Sequence, residues 1–202
     1  MITIVNYGMG NLGSMLNMFK RIGAKACLES DPKALRYAEK LVLPGVGAFD
    51  AAMQRINSVS MLREVLDHKA LDERVPILGV CLGMQLLTHS SQEGQLAGLG
   101  WIPGVSRRFP NREGLKVPHM GWNVARPNTP SLLTSNTGME PRYYFVHSYY
   151  VQVDDPAHSI MRTQYGVDFD SAIGRDNIYG VQFHPEKSHR FGMQILQNFA
   201  EL

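Results

Sequence analysis

The sequence predicts an α/β fold in which helices cover both faces of a mixed, mostly parallel sheet. In the first half of the chain, short β-branched runs alternate with helical patterns, which is typical of βαβ units. From about Gly94 onward, glycine and proline separate short strand-like segments, which indicates hairpins and a meander. We therefore expect a flavodoxin-like three-layer sandwich with an antiparallel extension in its C-terminal half. A chain of 202 residues suits one core, so residues 1–202 are expected to form a single domain.

Four strands, the first of them buried, and the helices between them are predicted in the first half. The strands are Ile2–Asn6, Ala24–Leu28, Lys40–Leu43 and Val75–Val80. The helical segments are a helix from Asn11 to Gly23, a short turn after Asp31-Pro32, and helices over Ala48–Ile56, Met61–Leu71 and Leu82–Ser90. Asn11 is predicted to cap the first helix and Gly23 to end it. Pro44-Gly45 is expected to stop the third strand.

The second half is predicted to contain four further strands and a closing helix. The strands are Tyr143–Val151, His158–Thr163, Phe169–Ile173 and Ile178–Phe183. The helix covers Ser188–Glu201, and Phe191, Ile195, Leu196 and Phe199 recur along it at the spacing of a buried face.

Composition and charge exclude several classes of function. The chain is 44% hydrophobic and 19% charged, which is typical of a globular protein rather than a disordered one. Twenty Lys and Arg residues against 18 Asp and Glu residues give a formal net charge of +2 without a basic block, so neither nucleic acid nor an anionic membrane is an expected partner. No apolar run reaches the roughly 20 residues of a membrane span. The start of the chain has none of the charge and apolar length of a signal peptide.

The two cysteines, Cys27 and Cys81, lack the spacing of metal ligands and can form at most one bridge. This cysteine usage favours a reducing, cytoplasmic setting. We expect neither a metal nor another cofactor. Cys27 lies within a predicted strand and is expected to be an inert core residue.

The segment Gly79-Val80-Cys81-Leu82-Gly83 places a G-x-C-x-G pattern between a predicted strand and a predicted helix. In a nucleophile elbow this pattern holds the nucleophile on a strained turn, and the glycines leave room for that turn to close. The helix N-terminus favours a thiolate at Cys81, and the N–H of Leu82 is then an oxyanion donor. The alternative is a buried structural cysteine between two packing glycines, and the pattern alone does not separate the two interpretations.

A thiolate that carries out acyl transfer needs a base and a group that orients the base. The predicted strand ending at Phe183 runs directly into His184-Pro185-Glu186, at the sheet edge where open α/β folds bind ligands. Glu186 follows the imidazole closely enough to face back to it. Alone, this tripeptide is more often a surface turn, but together with the elbow it favours nucleophilic catalysis.

A glycine loop, Leu43–Phe49, also leads from a strand to a helix. The amides of Val46, Gly47 and Ala48 would supply the other half of an oxyanion hole or hold a carboxylate. The alternative is a simple turn.

A different class of function is indicated by Gly8-Met9-Gly10-Asn11-Leu12-Gly13, a literal G-x-G-x-x-G after the first strand. Glu29 lies near the end of the second strand, where a ribose-binding acid is expected, so the pattern would suit a dinucleotide-binding module. This hypothesis leaves the Cys81 and His184 segments unexplained. Glycines that permit a tight strand-to-helix turn are the favoured interpretation.

The elbow and the His184 segment together resemble the class I, triad-type glutamine amidotransferases, since both motifs occur in that family's order about a hundred residues apart. Further motifs are similar to the glutaminase subunits of imidazole glycerol phosphate synthase. They are Tyr7–Asn11, Leu43–Phe49, Lys116–Asn123 and Tyr144–Tyr149. The resemblance extends over essentially the whole chain.

The resemblance implies an enzyme that hydrolyses L-glutamine to L-glutamate and ammonia. It also implies a (β/α)8-barrel cyclase subunit as the partner that consumes the ammonia in histidine biosynthesis. Cys81 is then the nucleophile that forms a glutamyl thioester, His184 its base and later its acid, and Glu186 the orienting carboxylate.

The resemblance assigns two further groups of residues. Those expected to bind substrate or the oxyanion are Gly47, Leu82, Gln85, Glu93, Ser148 and Tyr149. Those expected to meet the cyclase are Met120, Trp122, Asn123, Tyr144 and Lys187. Gly13 departs from the arginine common in the family, which leaves a paralogous branch open, one that supplies ammonia for the amination of cell-surface sugars.

Overall fold

The computed structural model describes residues 1–202, which form thirteen strands and six α-helices. The strands are β1 (Ile2–Val5), β2 (Ala26–Glu29), β3 (Lys40–Gly45), β4 (Ile77–Cys81), β5 (Ser90–Ser91), β6 (Gly104–Arg108), β7 (His119–Val124), β8 (Arg126–Pro127), β9 (Arg142–His147), β10 (Tyr149–Val153), β11 (Ser159–Tyr165), β12 (Val167–Arg175) and β13 (Ile178–Val181). The helices are α1 (Leu12–Arg21), α2 (Pro32–Leu35), α3 (Phe49–Ser58), α4 (Leu62–Asp67), α5 (Leu82–Leu86) and α6 (His189–Glu201).

One large sheet forms the centre of the molecule. Its parallel part has the order β2-β1-β3-β4-β13, the flavodoxin-like order, in which β1 marks a reversal of winding direction. Strand β12 joins β13 in antiparallel orientation and begins the extension through β10 and β6, while β7 and β9 form a separate antiparallel pair. The predicted fold class is therefore confirmed.

The alternation of side chains along the central strands creates two apolar layers. Ile4, Val42 and Leu78 point to the face that α1 and α6 cover. Val5 and Leu41 point to the opposite face, which α3 and α4 cover. Because successive residues of a strand face opposite sides, a strand such as β1, in which all four residues are buried, is covered on both faces. None of the helices has the length and apolar character that crossing a membrane requires.

Several predicted boundaries differ from the structure for identifiable reasons. Strand β3 continues through Pro44-Gly45 instead of stopping there. Pro44 lies beyond the last β1–β3 pair, Ile4↔Val42, so its missing N–H removes no bond of the sheet. The side chain of Asn11 makes no hydrogen bond at the start of α1, whereas Asp31 does cap α2 by accepting from the N–H of Lys33.

The predicted strand Tyr143–Val151 is two strands in different sheets. Strand β9 pairs with β7, and β10 pairs with β6 and β12. The break falls at Ser148, which brings this residue and Tyr149 to the same sheet edge as the elbow. The predicted helix Leu82–Ser90 ends at Leu86, after which turn hydrogen bonds lead into β5.

The glycine at position 83 is expected to be indispensable to this packing. A Cβ atom there would lie 1.8 Å from the carbonyl oxygen of Leu43 in β3. We predict that Gly83→Ala lowers the free energy of unfolding by about 3 kcal/mol, because backbone atoms must move apart. Chemical denaturation of the purified protein measures this loss.

Gly13→Ala is the matched control, because a Cβ atom at Gly13 would meet nothing within 4 Å and the residue lies in α1. It should raise the same free energy by about 0.5–1 kcal/mol through helix propensity. Equal effects of the two substitutions would contradict the packing argument.

Candidate active site

The carboxyl ends of the parallel strands bring the predicted functional segments together. Cys81 is the last residue of β4, His184 follows β13, and Gly45 ends β3 beside Cys81 in register. Ligand sites of open α/β sheets lie at this edge. The fold therefore places segments that are about a hundred residues apart in sequence around one point.

Cys81 lies in the strained backbone conformation of an elbow, with φ 56° and ψ −112°. A non-glycine residue adopts a positive φ only where its surroundings enforce it. Here the two glycines of the motif allow this, because a Cβ atom at Gly79 would lie 2.6 Å from the carbonyl oxygen of Gly83. The predicted strand–elbow–helix arrangement is present, and the side chain of Cys81 is nearly buried.

His184 and Glu186 form a buried ion pair next to the elbow. Nδ1 of the ring is 2.8 Å from Oε1 of Glu186, and the two side chains are 4% and 3% exposed. Pro185 begins a short 3-10 turn that directs Glu186 back to the ring, and Ser188 donates to the His184 carbonyl at 2.6 Å. Since a carboxylate only accepts, Nδ1 carries the hydrogen. Nε2 of His184 makes no hydrogen bond within the chain.

The electrostatic surroundings of His184 favour the protonated ring. Burial alone lowers the pKa of an imidazole, but the neighbouring Cys81 and Glu186 outweigh burial and raise the pKa of His184 to about 10. The arrangement is therefore suited to a thiolate–imidazolium pair, the reactive form of a catalytic cysteine.

Sequence patterns did not assign a role to Gln182 or to the Tyr7 hydroxyl, yet both lie at the elbow. The Gln182 amide donates to Sγ of Cys81 at 3.8 Å, and the Tyr7 hydroxyl donates to the Pro44 carbonyl at 2.6 Å. Burial, followed by the charge of Cys81, raises the pKa of Tyr7, so the phenol keeps its proton. The available signal for Gln182 was a polar residue within the otherwise apolar strand before His184.

The glycine loop after β3 presents free backbone donors. Gly47 has φ 100°, a conformation that favours glycine. The N–H groups of Val46 and Gly47 form no hydrogen bond within the chain. Together with Leu82 at the first turn of α5, they border the same cavity as Cys81.

This cavity has a volume of about 400 Å³. It is lined by Val46, Gly47, Cys81, Leu82, Gln85, Glu93, Pro118, Val146, His147, Ser148, Tyr149, His184 and Lys187. All six residues predicted to bind substrate or the oxyanion are thus among its walls. The amide nitrogen of Gln85 donates to the Tyr149 carbonyl at 3.2 Å, and the carboxylate of Glu93 accepts from the N–H of Phe49 at 2.9 Å.

Of the residues predicted to meet a partner, Lys187 lines the cavity and the others lie on β7 and β9, with one difference in orientation. Met120 and Trp122 are 62% and 41% exposed on the outer face of β7. Tyr144 packs edge-on against Trp122, and the Lys187 ammonium lies over the Tyr144 ring. The side chain of Asn123 points inward instead, where it is held by hydrogen bonds within the chain.

The glycine motif near the start of the chain has local explanations. A Cβ atom at Gly10 would lie 3.0 Å from the Pro44 side chain, and both Gly8 and Gly10 have positive φ. The Glu29 carboxylate accepts from the N–H groups of the turn that follows it. Cys27 is half-buried rather than a full core residue. No group of three or more His, Cys, Asp or Glu side chains is placed to hold a metal ion.

Comparison with known sequences finds similarity over nearly the whole chain. The family model described as "Glutamine amidotransferase class-I" matches residues 5–202. A Pseudomonas aeruginosa protein named imidazole glycerol phosphate synthase subunit HisH 2 is 50% identical over 202 residues, covering 100% of both chains. A protein of the same name from Methanococcus maripaludis is 48% identical over 201 residues, covering 100% of this chain and 99% of its own.

Solved structures share the fold at low sequence identity. The structure of PurLQS from Thermotoga maritima has a TM-score of 0.76 at 16% identity, covering 99% of this chain and 97% of that one. A structure described as a glutamine amidotransferase has a TM-score of 0.75 at 14% identity with the same coverage. At these identities the similarity supports the architecture alone.

The pairing of His184 makes a prediction about its titration. Because its pKa is raised to about 10 from an ordinary value of about 6.5, the ring should stay protonated through neutral pH. Its stabilising contribution is then complete below about pH 6.5 and is lost as the pH rises through about 10. In Cys81→Ala, one of the two groups that favour the charged ring is absent, so the pKa should fall. NMR titration of the His184 ring in both proteins measures this; an equal pKa in both would contradict the pairing.

Proposed function

Because the chain belongs to the class I glutamine amidotransferases, we propose that it hydrolyses L-glutamine to L-glutamate and ammonia as the glutaminase subunit of an imidazole glycerol phosphate synthase. The observation that carries the proposal is the nearly buried Cys81 on a strained elbow, in one cavity with His184, whose ring is paired with the buried Glu186 carboxylate. Relatives with that synthase name match over their full length, which supports the choice of substrate.

In the first half of the reaction, the Cys81 thiolate attacks the side-chain amide carbon of glutamine. The negative charge that develops on the amide oxygen is stabilised by the N–H groups of Leu82 and Gly47. His184 gives its Nε2 proton to the amide nitrogen, the C–N bond breaks, and ammonia leaves a glutamyl thioester on Cys81.

In the second half, water attacks the thioester carbonyl while His184 takes a proton from that water. The C–S bond breaks, the thiolate of Cys81 is restored and His184 keeps the proton taken from water; the new carboxylic acid loses its own proton to solvent, and glutamate is released. Glu186 accepts from Nδ1–H of the ring throughout, which keeps Nε2 aimed at the reacting atoms.

The charged head of glutamine is assigned to the part of the cavity that Gln85 and Glu93 line. The Glu93 carboxylate is suited to the α-ammonium group by charge. Gln85 supports the segment formed by Ser148 and Tyr149 through its bond to the Tyr149 carbonyl. No metal or other cofactor is needed for this chemistry, and residues 1–202 act as one domain.

Ammonia produced here is used by a second protein. The curated relatives are named as subunits of a synthase, so this chain too is assigned a partner subunit. We assign that partner to a (β/α)8-barrel cyclase that makes imidazole glycerol phosphate and an aminoimidazole carboxamide ribonucleotide in histidine biosynthesis. Exposed Met120 and Trp122, with Tyr144 and Lys187, form the surface assigned to it, since exposed aromatic and Met side chains are typical of interfaces. Asn123 lies on the same strand as Met120 and Trp122, and its side chain supports this surface from the inner side of β7. The complex is expected in the cytoplasm.

Cys81→Ala should lower glutamine turnover in the complex by about 10⁴-fold or more, because no other thiol lines the cavity. The same complex should still make imidazole glycerol phosphate when ammonium salts replace glutamine. Cys27→Ser is the matched control and should retain full activity. A glutamine-analogue affinity label should modify Cys81 and leave Cys27 unmodified.

Two outcomes would contradict this proposal. Unchanged glutamine turnover in Cys81→Ala would exclude the assigned nucleophile. Glutamine hydrolysis by the unsubstituted complex without any imidazole glycerol phosphate formation, from either glutamine or ammonium, would assign the ammonia to another acceptor, such as an aminated sugar.

Glu186→Gln should reduce kcat at least about tenfold without abolishing turnover, because the ring keeps part of its position but loses the charge that supports the imidazolium form. Steady-state kinetics of glutamine hydrolysis in the complex measures this effect. A loss as complete as that of Cys81→Ala would show that the carboxylate does more than orient His184.

A further inference from the structure

Two buried histidines that the proposed glutaminase chemistry does not use lie side by side on β7 and β9. His119 and His147 are directly opposed in the antiparallel register of these strands. They are 3% and 5% exposed, and Nδ1 of His119 lies 2.9 Å from Nε2 of His147. Aromatic side chains surround the pair; His119 stacks between Phe145 and Tyr165 at centroid distances of 4.8 and 3.9 Å.

The pair is hydrogen-bonded at both of its ends. Nδ1 of His147 lies 2.7 Å from the carbonyl oxygen of Tyr149, at the wall of the Cys81 cavity. Nε2 of His119 lies 3.2 Å from the amide nitrogen of Asn123. A continuous chain of hydrogen bonds therefore leads from the inner side of β7 to the cavity.

The amide orientation of Asn123 is fixed independently of the histidines. Its nitrogen also donates to the Gln164 carbonyl at 3.0 Å. Its oxygen accepts from the N–H of Val124 at 2.8 Å. Flipping the amide would lose both bonds, so the group facing His119 is a donor.

The two ends determine the direction of every bond between them. A carbonyl only accepts, so His147 carries its hydrogen on Nδ1 and accepts at Nε2 when neutral. His119 must then donate from Nδ1 and accept at Nε2 from Asn123. Protonation of either ring would place two N–H donors opposite each other. A hydrogen on Nε2 of His147 would face Nδ1–H of His119, and a hydrogen on Nε2 of His119 would face the Asn123 amide.

Burial keeps both rings neutral, as this arrangement requires. It lowers the pKa of His119 to about 4. For His147, burial lowers the pKa to about 3; the hydrogen bond to the Tyr149 carbonyl acts in the opposite direction, and the neighbouring His119 and His184 rings add to the lowering. Both rings are therefore uncharged at neutral pH, in contrast to the nearby ring of His184.

We propose that Asn123, His119 and His147 form a one-directional hydrogen-bond relay that positions the Tyr149 carbonyl, and with it the glutamine-binding wall of the cavity. The inference rests on the proposed glutaminase function. The Tyr149 carbonyl also accepts from Gln85, so the relay and Gln85 hold the same atom from two sides. Asn123 and His119 do not line the cavity and act as positioning residues through His147.

Kinetics of the complex with its partner subunit test the positioning role. His119→Phe keeps the stacked ring but removes both hydrogen bonds, and Asn123→Leu removes the first donor. Each variant should raise KM for glutamine about threefold to tenfold, which corresponds to the free energy of about one hydrogen bond lost in positioning the Tyr149 carbonyl. Over the same variants kcat should change less than about twofold.

Phe169→Leu is the matched control. The Phe169 ring lies 6.0 Å from that of His119 and 5.2 Å from that of His147, but it makes no bond of the relay. The Phe169→Leu substitution should loosen the packing of the aromatic side chains around the two histidines and leave KM for glutamine unchanged. The relay is overturned if His119→Phe and Asn123→Leu leave KM for glutamine unchanged, as Phe169→Leu is expected to do. It is also overturned if they lower kcat without raising KM.

A second measurement does not depend on activity. Imidazole ¹⁵N chemical shifts report which ring nitrogen carries hydrogen, and both His119 and His147 should be Nδ1–H tautomers. Asn123→Asp replaces the donor by an acceptor, so His119 should gain a hydrogen on Nε2 that faces the new carboxylate while it keeps its Nδ1–H toward His147. An Nε2–H tautomer of either ring in the unsubstituted protein, or a His119 ring without a hydrogen on Nε2 in the variant, would overturn the relay. Absence of glutamine hydrolysis by the unsubstituted complex would count against the proposed function instead, because the tautomers test the relay by themselves.

Discussion

The close approach of the first turn of α5 to strand β3 determines the geometry of the whole site. Gly83 lies against the carbonyl of Leu43 with no space for a side chain. This contact holds the elbow closed, forces Cys81 into its positive φ, and brings the loop after β3 beside the sulfur. The nucleophile and both sources of oxyanion donors therefore depend on one backbone-to-backbone contact, which only glycine permits.

Three buried histidines near this site show how surroundings assign opposite roles to one residue type. His184 has a carboxylate on one side and a thiol on the other, so its charged form is favoured despite burial. His119 and His147 have only neutral hydrogen-bond partners and aromatic rings, so burial keeps them uncharged. When surroundings shift the pKa values of one residue type in opposite directions, the direction of the shift indicates which residues transfer protons and which have a structural role. One ring is assigned to moving protons, while the other two hold a wall of the pocket.

The parts of this arrangement that the sequence predicted depend on local patterns. Apolar runs and glycine positions were enough to predict the βαβ half, the strand before Cys81 and the turn after it. His184 and Glu186 are two residues apart, so their pairing also follows from a short segment. The division of residues 143–151 into β9 and β10 was not predictable in this way, because its side chains would suit one continuous strand and only their partners in two sheets separate them. The contact of His119 with His147 was not predictable either, because it depends on the register between β7 and β9 and no sequence pattern near either residue indicates it.

If glutamine is hydrolysed through a thioester on Cys81, acid added during turnover should trap this intermediate, and mass spectrometry of the quenched complex can detect it. The peptide containing Cys81 should gain the mass of one glutamyl group, while the peptide containing Cys27 should not. Steady hydrolysis of glutamine with a glutamyl group on another residue, and none on Cys81, would exclude Cys81 as the nucleophile.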